Sequence, residues 1–286
     1  MSNLTRRLLL TPSVVTLLLW MIVPLGMTLY FSFMRYNLLY PERFGFNGLL
    51  NYEFFLTDPA IFPSVLNTLL LVGSIVLFSV FLGIIFAVLL QSPFRGRGIA
   101  RVMLISPFFI MPTVNALIWE NLFLNPVYGL FAFISSSLGL PVIEWLSNLP
   151  LFSIIMMVTW QWTPFALLIF MTSLQSIDKE QIEAAEIDGA SEWNKFVYLT
   201  IPHLLRPIAI VIMIQTIFHL SLFAEIFVTT SGGPGYQSTN VAFLIFAQAL
   251  MQFDVGVASV GGVFAIIIAN VVAIFLIRQV GKSLML

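Results

Sequence analysis

Residues 64–90 read SVLNTLLLVGSIVLFSVFLGIIFAVLL, a stretch with no Asp, Glu, Lys or Arg. At about 1.5 Å per residue a helix of that length reaches about 40 Å, more than the roughly 30 Å of hydrocarbon in a bilayer. Lipid offers the backbone no hydrogen-bond partner, so a chain crossing it must pair its own N–H and C=O groups, which a single segment does only as a helix. Working outward, five further apolar runs of comparable length appear, and the six spans are about 8–33, 64–90, 99–124, 151–177, 204–229 and 258–277. Of the 286 residues 59% are hydrophobic and 9% charged, against roughly 25% charged in a soluble domain. The expected fold is therefore all-α: a polytopic membrane protein with six transmembrane helices, forming one transmembrane domain over residues 1–286. The first span follows Arg6 and Arg7, as a signal peptide would, but its apolar run exceeds the roughly 7–15 residues of a signal core and no small-residue cleavage site follows. It is read as a retained helix.

Several function classes are excluded by what is missing. A net charge of −1 gives no bulk attraction to nucleic acid, and zero cysteines leave no disulfide, iron–sulfur cluster or thiolate metal site. Two histidines, His203 and His219, and no paired acids within the spans cannot build a metal triad or an aspartyl dyad, so no catalytic or metal site is expected. The longest connections, about 25–30 residues, are too short for a folded nucleotide-binding domain. Gly281-Lys282-Ser283 spells the end of a phosphate-binding loop, but Leu276 stands where the first glycine belongs. Basic residues near a span stay cytoplasmic. With the N-terminus inside, Arg6, Arg7, Arg95, Arg97, Arg101, Lys179, Lys195, Arg206, Arg278 and Lys282 all fall on the inner side, 10 of 12. Only Arg35 and Arg43 fall outside, in a loop with Glu42, Glu53 and Asp58, so both termini are expected in the cytoplasm.

One cytoplasmic segment, 178–202, breaks the apolar pattern. It gathers six of the thirteen acids: Asp178, Glu180, Glu183, Glu186, Asp188 and Glu192. Ile182, Ala185, Gly189, Trp193 and Phe196 recur at steps of three and four, an apolar stripe along a helical face. A pair of short amphipathic helices is expected, and its acidity disfavours the anionic inner leaflet and favours a protein partner.

Glu183-Ala184-Ala185, then Asp188-Gly189 and, after a spacer, Ile201-Pro202, resembles the EAA loop of the permease subunits of binding-protein-dependent ABC importers. Ile201 stands where that pattern usually has leucine. Thr230-Ser231-Gly232-Gly233-Pro234-Gly235 with Ser238-Thr239 is similar to the glycine-rich motif of the maltose-type, carbohydrate-uptake members. Ile105-Ser106-Pro107-Phe108-Phe109, Pro112-Thr113 and Leu250-Met251-Gln252-Phe253-Asp254-Val255-Gly256 look most like sorbitol and mannitol permeases. The resemblance implies a cytoplasmic coupling helix between the fourth and fifth spans, with Glu183, Ala184, Ala185, Asp188, Gly189, Ile201 and Pro202 engaging an ATPase. It further implies a second, different permease subunit, two ATPase subunits carrying ATP and Mg, a periplasmic substrate-binding protein and a bacterial inner-membrane location. No cofactor is implied in this chain. On physical grounds Ala184 and Ala185 keep the helix narrow, Glu183 offers a carboxylate to a basic residue, and Gly189 permits a sharp turn.

A sugar or sugar alcohol needs hydroxyl partners and flat apolar faces rather than a full charge. Counting along the spans places Gln161 roughly 16 Å deep, flanked by Trp160, Trp162 and the helix-distorting Pro164, and Gln215 at roughly 18 Å with His219 one turn beyond. Asn115 lies at comparable depth past Pro107 and Pro112. These residues are candidates for a substrate pathway, and interhelical hydrogen bonding is the alternative use of the same groups. Glu225, about 30 Å from the inner boundary by the same count, is read as part of an outer gate. The competing reading of the whole is a stand-alone secondary transporter, disfavoured by the scarcity of intramembrane ionisable groups. Disaccharide or glycerol phosphate cargo is the alternative to a polyol.

Overall fold

The computed structural model describes residues 3–284, with side chains from Leu10 to Arg278. The side chains of Arg6, Arg7 and Lys282, used above for orientation, lie outside those described. In chain order the helices are α1 (Asn3–Ser32), α2 (Leu50–Thr57), α3 (Ile61–Leu89), α4 (Arg97–Ile105), α5 (Pro112–Ile118), α6 (Leu130–Ser137), α7 (Trp145–Asn148), α8 (Pro150–Leu174), α9 (Lys179–Ile187), α10 (Glu192–Lys195), α11 (Ile201–His219), α12 (Ala224–Thr229), α13 (Val241–Phe246) and α14 (Val255–Leu284). A two-residue antiparallel ladder, β1 (Met34–Arg35) on β2 (Gly45–Phe46), follows α1. The protein is an all-α polytopic membrane protein. Among the described residues five helical stretches are long and apolar enough to span a bilayer, and the bent pair Arg97–Phe109 and Pro112–Phe123 makes six if counted as one.

That pair occupies the span expected over 99–124, and its prolines break it sharply. The two halves meet at 112°. Ser106–Phe109 tightens into a 3-10 turn with Pro107 at its start, and Ile110 and Met111 are extended, with ψ of 132° and 142°. Pro112 has no N–H to give and drives the residue before it out of the helical region. The fifth span, expected over 204–229, also breaks: α11 stops at His219 and α12 starts afresh at Ala224. The Leu222 carbonyl exposed by this break accepts from Asn240 Nδ2 at 2.5 Å.

Two compact units divide the chain, 1–61 with 244–268 and 62–243 with 269–286. The second is centred on α8, whose Ala166, Leu167 and Phe170 are fully buried among Ala87 of α3 and Leu204 and Val211 of α11. Between helices already in lipid the hydrophobic effect contributes little, and close packing of small residues draws them together. Gly83 of α3 shows this contact: a Cβ there would stand 2.7 Å from Ala166 Cβ and 3.2 Å from α8 backbone. In the first unit Phe55 and Val260 are buried together, the Phe55 and Phe264 rings lie 5.3 Å apart, and a Cβ on Gly261 would meet Phe55 at 2.9 Å. Every side chain of α1 from Leu10 to Met27 is exposed, an apolar surface suited to lipid or another chain rather than water.

Candidate functional site

Two regions carry the residues singled out above: the acidic helix pair and the polar groups inside the second unit. Lys179–Ile187 folds as a helix, and Gly189 then takes φ of 74°, the left-handed conformation that ends helices and that a Cβ disfavours. Ala190 N–H returns to Ala185 O at 2.9 Å, closing the turn. Ser191 restarts the chain as the N-cap of α10, its hydroxyl accepting from Asn194 N–H at 3.2 Å. Lys195 Nζ holds both ends, 3.0 Å from Glu186 Oε1 and 2.6 Å from Glu192 Oε1. A wider π-helical turn, Phe196–Thr200, leads on to α11, and Ile201 and Pro202 open that helix.

Glu183, Ala184, Asp188, Gly189 and Pro202 are exposed, and Ala185 and Ile201 half-buried. Of the apolar stripe expected along this segment, Ile182, Ala185 and Phe196 are partly covered, and Trp193, 70% exposed, packs on Phe196 with ring centroids 5.8 Å apart. With Ile187 at 87% and Tyr198 at 74%, Trp193 gives the acidic pair an uncovered apolar surface. Large exposed apolar groups rimmed by charge mark an interaction surface.

Inside the second unit, the break in the third span explains two amides. Ile110, extended, cannot use its carbonyl in a helix, and Gln161 Nε2 on α8 donates to it at 2.6 Å. Asn115 Nδ2 donates to Gln161 Oε1 at 3.0 Å and lies 3.3 Å from Met157 O. Gln215 Nε2 reaches the Trp162 carbonyl at 3.3 Å, and the Trp162 and His219 rings meet edge-on at 4.8 Å. Asn115 with Gln161, and Gln215 with Trp162 and His219, thus form two neighbouring groups along α8. Trp160, about 200° around the same helix from Trp162, turns away to pack edge-on against Trp119 at 5.9 Å. Glu225 is buried in the first turn of α12, which packs on α5, and no hydrogen bond joins it to the amides among the described residues. Asn115 Oδ1, Gln215 Oε1 and His219 Nε2 are buried without a hydrogen-bond partner. Such groups normally find one.

The glycine-rich loop is held by its own Ser238 and Thr239 and by two residues of α3 that the sequence did not single out. Asn67 Nδ2 on α3 donates to Tyr236 O at 2.8 Å and Thr239 O at 2.9 Å, and Thr68 Oγ1 accepts from Val241 N–H at 3.0 Å. Ser238 Oγ donates to Gly233 O at 2.9 Å, and Thr239 Oγ1 to Gly232 O at 2.9 Å. Gly232, with φ of 81°, has no room for a side chain, since a Cβ would lie 2.5 Å from Thr239 Oγ1. An Asn-Thr pair inside an otherwise apolar run was the available signal.

A family model described as the binding-protein-dependent transport system inner membrane component matches residues 3–285. A probable ABC transporter permease protein of Sinorhizobium fredii is 35% identical over 247 residues, covering 86% of this chain and 80% of the relative. The trehalose/maltose transport system permease protein of Thermococcus litoralis is 35% identical over 243 residues, covering 84% and 81%. Among solved structures, a bacterial ABC transporter involved in the import of the acidic polysaccharide alginate superposes with a TM-score of 0.81 at 20% identity, covering 98% of this chain and 97% of that one.

Proposed function

Because this chain belongs to the family of binding-protein-dependent transport system inner membrane components, we propose that it is a membrane subunit of an ATP-driven importer that moves a carbohydrate or sugar alcohol into the cytoplasm. The observation that carries the mechanism is the exposed acidic pair α9–α10, folded about Gly189 between α8 and α11. Glu183, Ala184, Ala185, Asp188 and Gly189 would seat in a groove of an ATPase subunit, with Ile201 and Pro202 carrying the movement into α11. ATP and Mg belong to two such ATPases, and a second, different permease completes the pore. A periplasmic substrate-binding protein delivers the cargo, and both termini of this chain lie in the cytoplasm.

In the pathway, α5, α8, α11 and α12 would part to present Asn115, Gln161, Gln215 and His219, with Trp162 as a flat apolar face and Glu225 near the outer gate. The unpartnered Asn115 Oδ1, Gln215 Oε1 and His219 Nε2 support this reading, since hydroxylated cargo supplies the donors that the amide oxygens lack. A hexitol of the sorbitol or mannitol kind is favoured. A disaccharide is the second reading, favoured by the likeness to the trehalose/maltose permease.

The deciding experiment reconstitutes the chain with its second permease, both ATPases and its binding protein, and measures ATP-dependent uptake across hexitols, monosaccharides, disaccharides and glycerol phosphate. Uptake of hexitols above the rest is expected. A disaccharide-only response would replace the polyol, and transport without the ATPases would overturn the importer reading.

A further inference from the structure

The acidic pair α9–α10 hangs from two helix ends, the last turn of α8 with Ser173 and the first turn of α11 with His203. The Ser173 carbonyl is among the last four of α8, the groups that a helix cannot satisfy within itself. It accepts from Ser176 N–H at 3.0 Å and Ser176 Oγ at 2.7 Å, and from His203 Nε2 at 3.0 Å, thirty residues on in sequence. A carbonyl only accepts, so Nε2 carries the hydrogen of this contact, and Ser176 Oγ lies 3.2 Å from the same nitrogen. The bond closes the base of the loop that contains the whole acidic pair.

The two ends are otherwise free to slip. Leu174 and Leu204 are buried in one apolar cluster beside them, but apolar attraction is non-directional and fixes no register. A cavity of about 570 Å³ opens next to the contact, framed by Ser173, Ser176, Pro202, His203 and Arg206. Among the described residues the one other hydrogen bond between α8 and α11 is Gln215 Nε2 to the Trp162 carbonyl, roughly 16 Å farther along α8. α10, the π-helical turn and α11 run as a single helical stretch from Glu192 to His219, so a displacement of α10 passes straight into α11. Pro207 then weakens that rod one turn beyond His203, since it has no N–H for the His203 carbonyl. α8 is joined to α9 only by the short non-helical link 175–178.

From these contacts we infer that His203 is a positioning residue for energy coupling. Its Nε2–H ties the loop-bearing ends of α8 and α11 together, so that movement arriving through α10 is carried to α8, which holds Gln161 and Trp162, and is not taken up by bending at Pro207. The inference rests on the importer reading. A direct contact of the exposed imidazole with an ATPase subunit is the competing role.

The test uses the complete transporter in proteoliposomes with its binding protein and measures ATP hydrolysed per molecule of radiolabelled sorbitol imported, or of maltose where the uptake series selects a disaccharide. His203→Ala is expected to raise that ratio roughly two- to tenfold, the population shift that one hydrogen bond supports. His203→Gln places an amide N–H about where Nε2 stands and should stay close to the parent, whereas His203→Asn, whose amide sits nearer the backbone, should be as poor as alanine. The concentration of ATPase subunits that gives half-maximal uptake is expected to be unchanged in all three. A purely structural role would lower the unfolding temperature and leave the ratio alone, which overturns the inference, as does glutamine as poor as alanine. A raised half-maximal ATPase concentration in every variant overturns it in favour of direct contact. Should His203→Ala fail to assemble, the glutamine and asparagine variants decide by the same criterion. A parent that imports without its ATPases overturns the importer reading and this inference with it.

Discussion

Gly189 isolates a backbone requirement from every other effect in the acidic helix pair. Its φ is 74°, and a Cβ built there meets nothing within 4 Å. Substitution therefore adds no clash with another element; it adds only the local penalty of a side chain in the left-handed region, about 1–2 kcal/mol. That is a 5- to 30-fold loss in the population of the turn that joins α9 to α10. If an ATPase binds only the turned form, Gly189→Ala should weaken its association by the same factor. Gly189→Val, β-branched, should be at the upper end or beyond. Gly189→Asn should be close to the parent, since asparagine visits this region readily. The assay is the concentration of ATPase subunits needed to reconstitute half-maximal ATP-coupled uptake, at equal amounts of inserted permease. Were Ala and Val to match the parent, or Asn to be as poor as Val, the reasoning from backbone conformation would be wrong.

Three further outcomes follow from the packing. Gly83→Leu should force α3 from α8, because the obstructing atoms include α8 backbone that cannot move aside; a loss of about 1–3 kcal/mol is expected, read as a lower unfolding temperature in detergent. Asn67→Ala removes the donor to Tyr236 O and Thr239 O. It should cost about 1–3 kcal/mol and raise amide hydrogen exchange across 230–240, with little change elsewhere. Gln161→Leu strands the Ile110 carbonyl. A fall in thermal stability of about 1–3 kcal/mol is expected, whereas a raised KM with stability intact would show that Gln161 serves the cargo and not the break.

How much of this was legible beforehand depended on the range of the interaction. The uncharged run 64–90 could be read as a span from itself alone, because apolar length is a property of consecutive residues. The Gly189 turn was legible for the same reason: the residue that permits positive φ lies at the turn. The prolines at 107 and 112 signalled a distortion of the third span without giving its angle. Glu225 was placed by counting along a helix that stops at His219, and the break could not be seen because its Leu222 carbonyl is capped by Asn240, 18 residues on.

The amino-acid sequence by itself determined that this chain lives in a membrane, roughly where it crosses, and which acidic segment breaks the apolar pattern. Only the tertiary structure decided which buried amides are engaged and which keep an open acceptor. A carbonyl freed at Ile110 finds its donor on Gln161, 51 residues away. Apolar length and charge bias act along the chain or against the bilayer, whereas satisfying a stranded backbone group inside hydrocarbon requires a neighbour that only folding brings near.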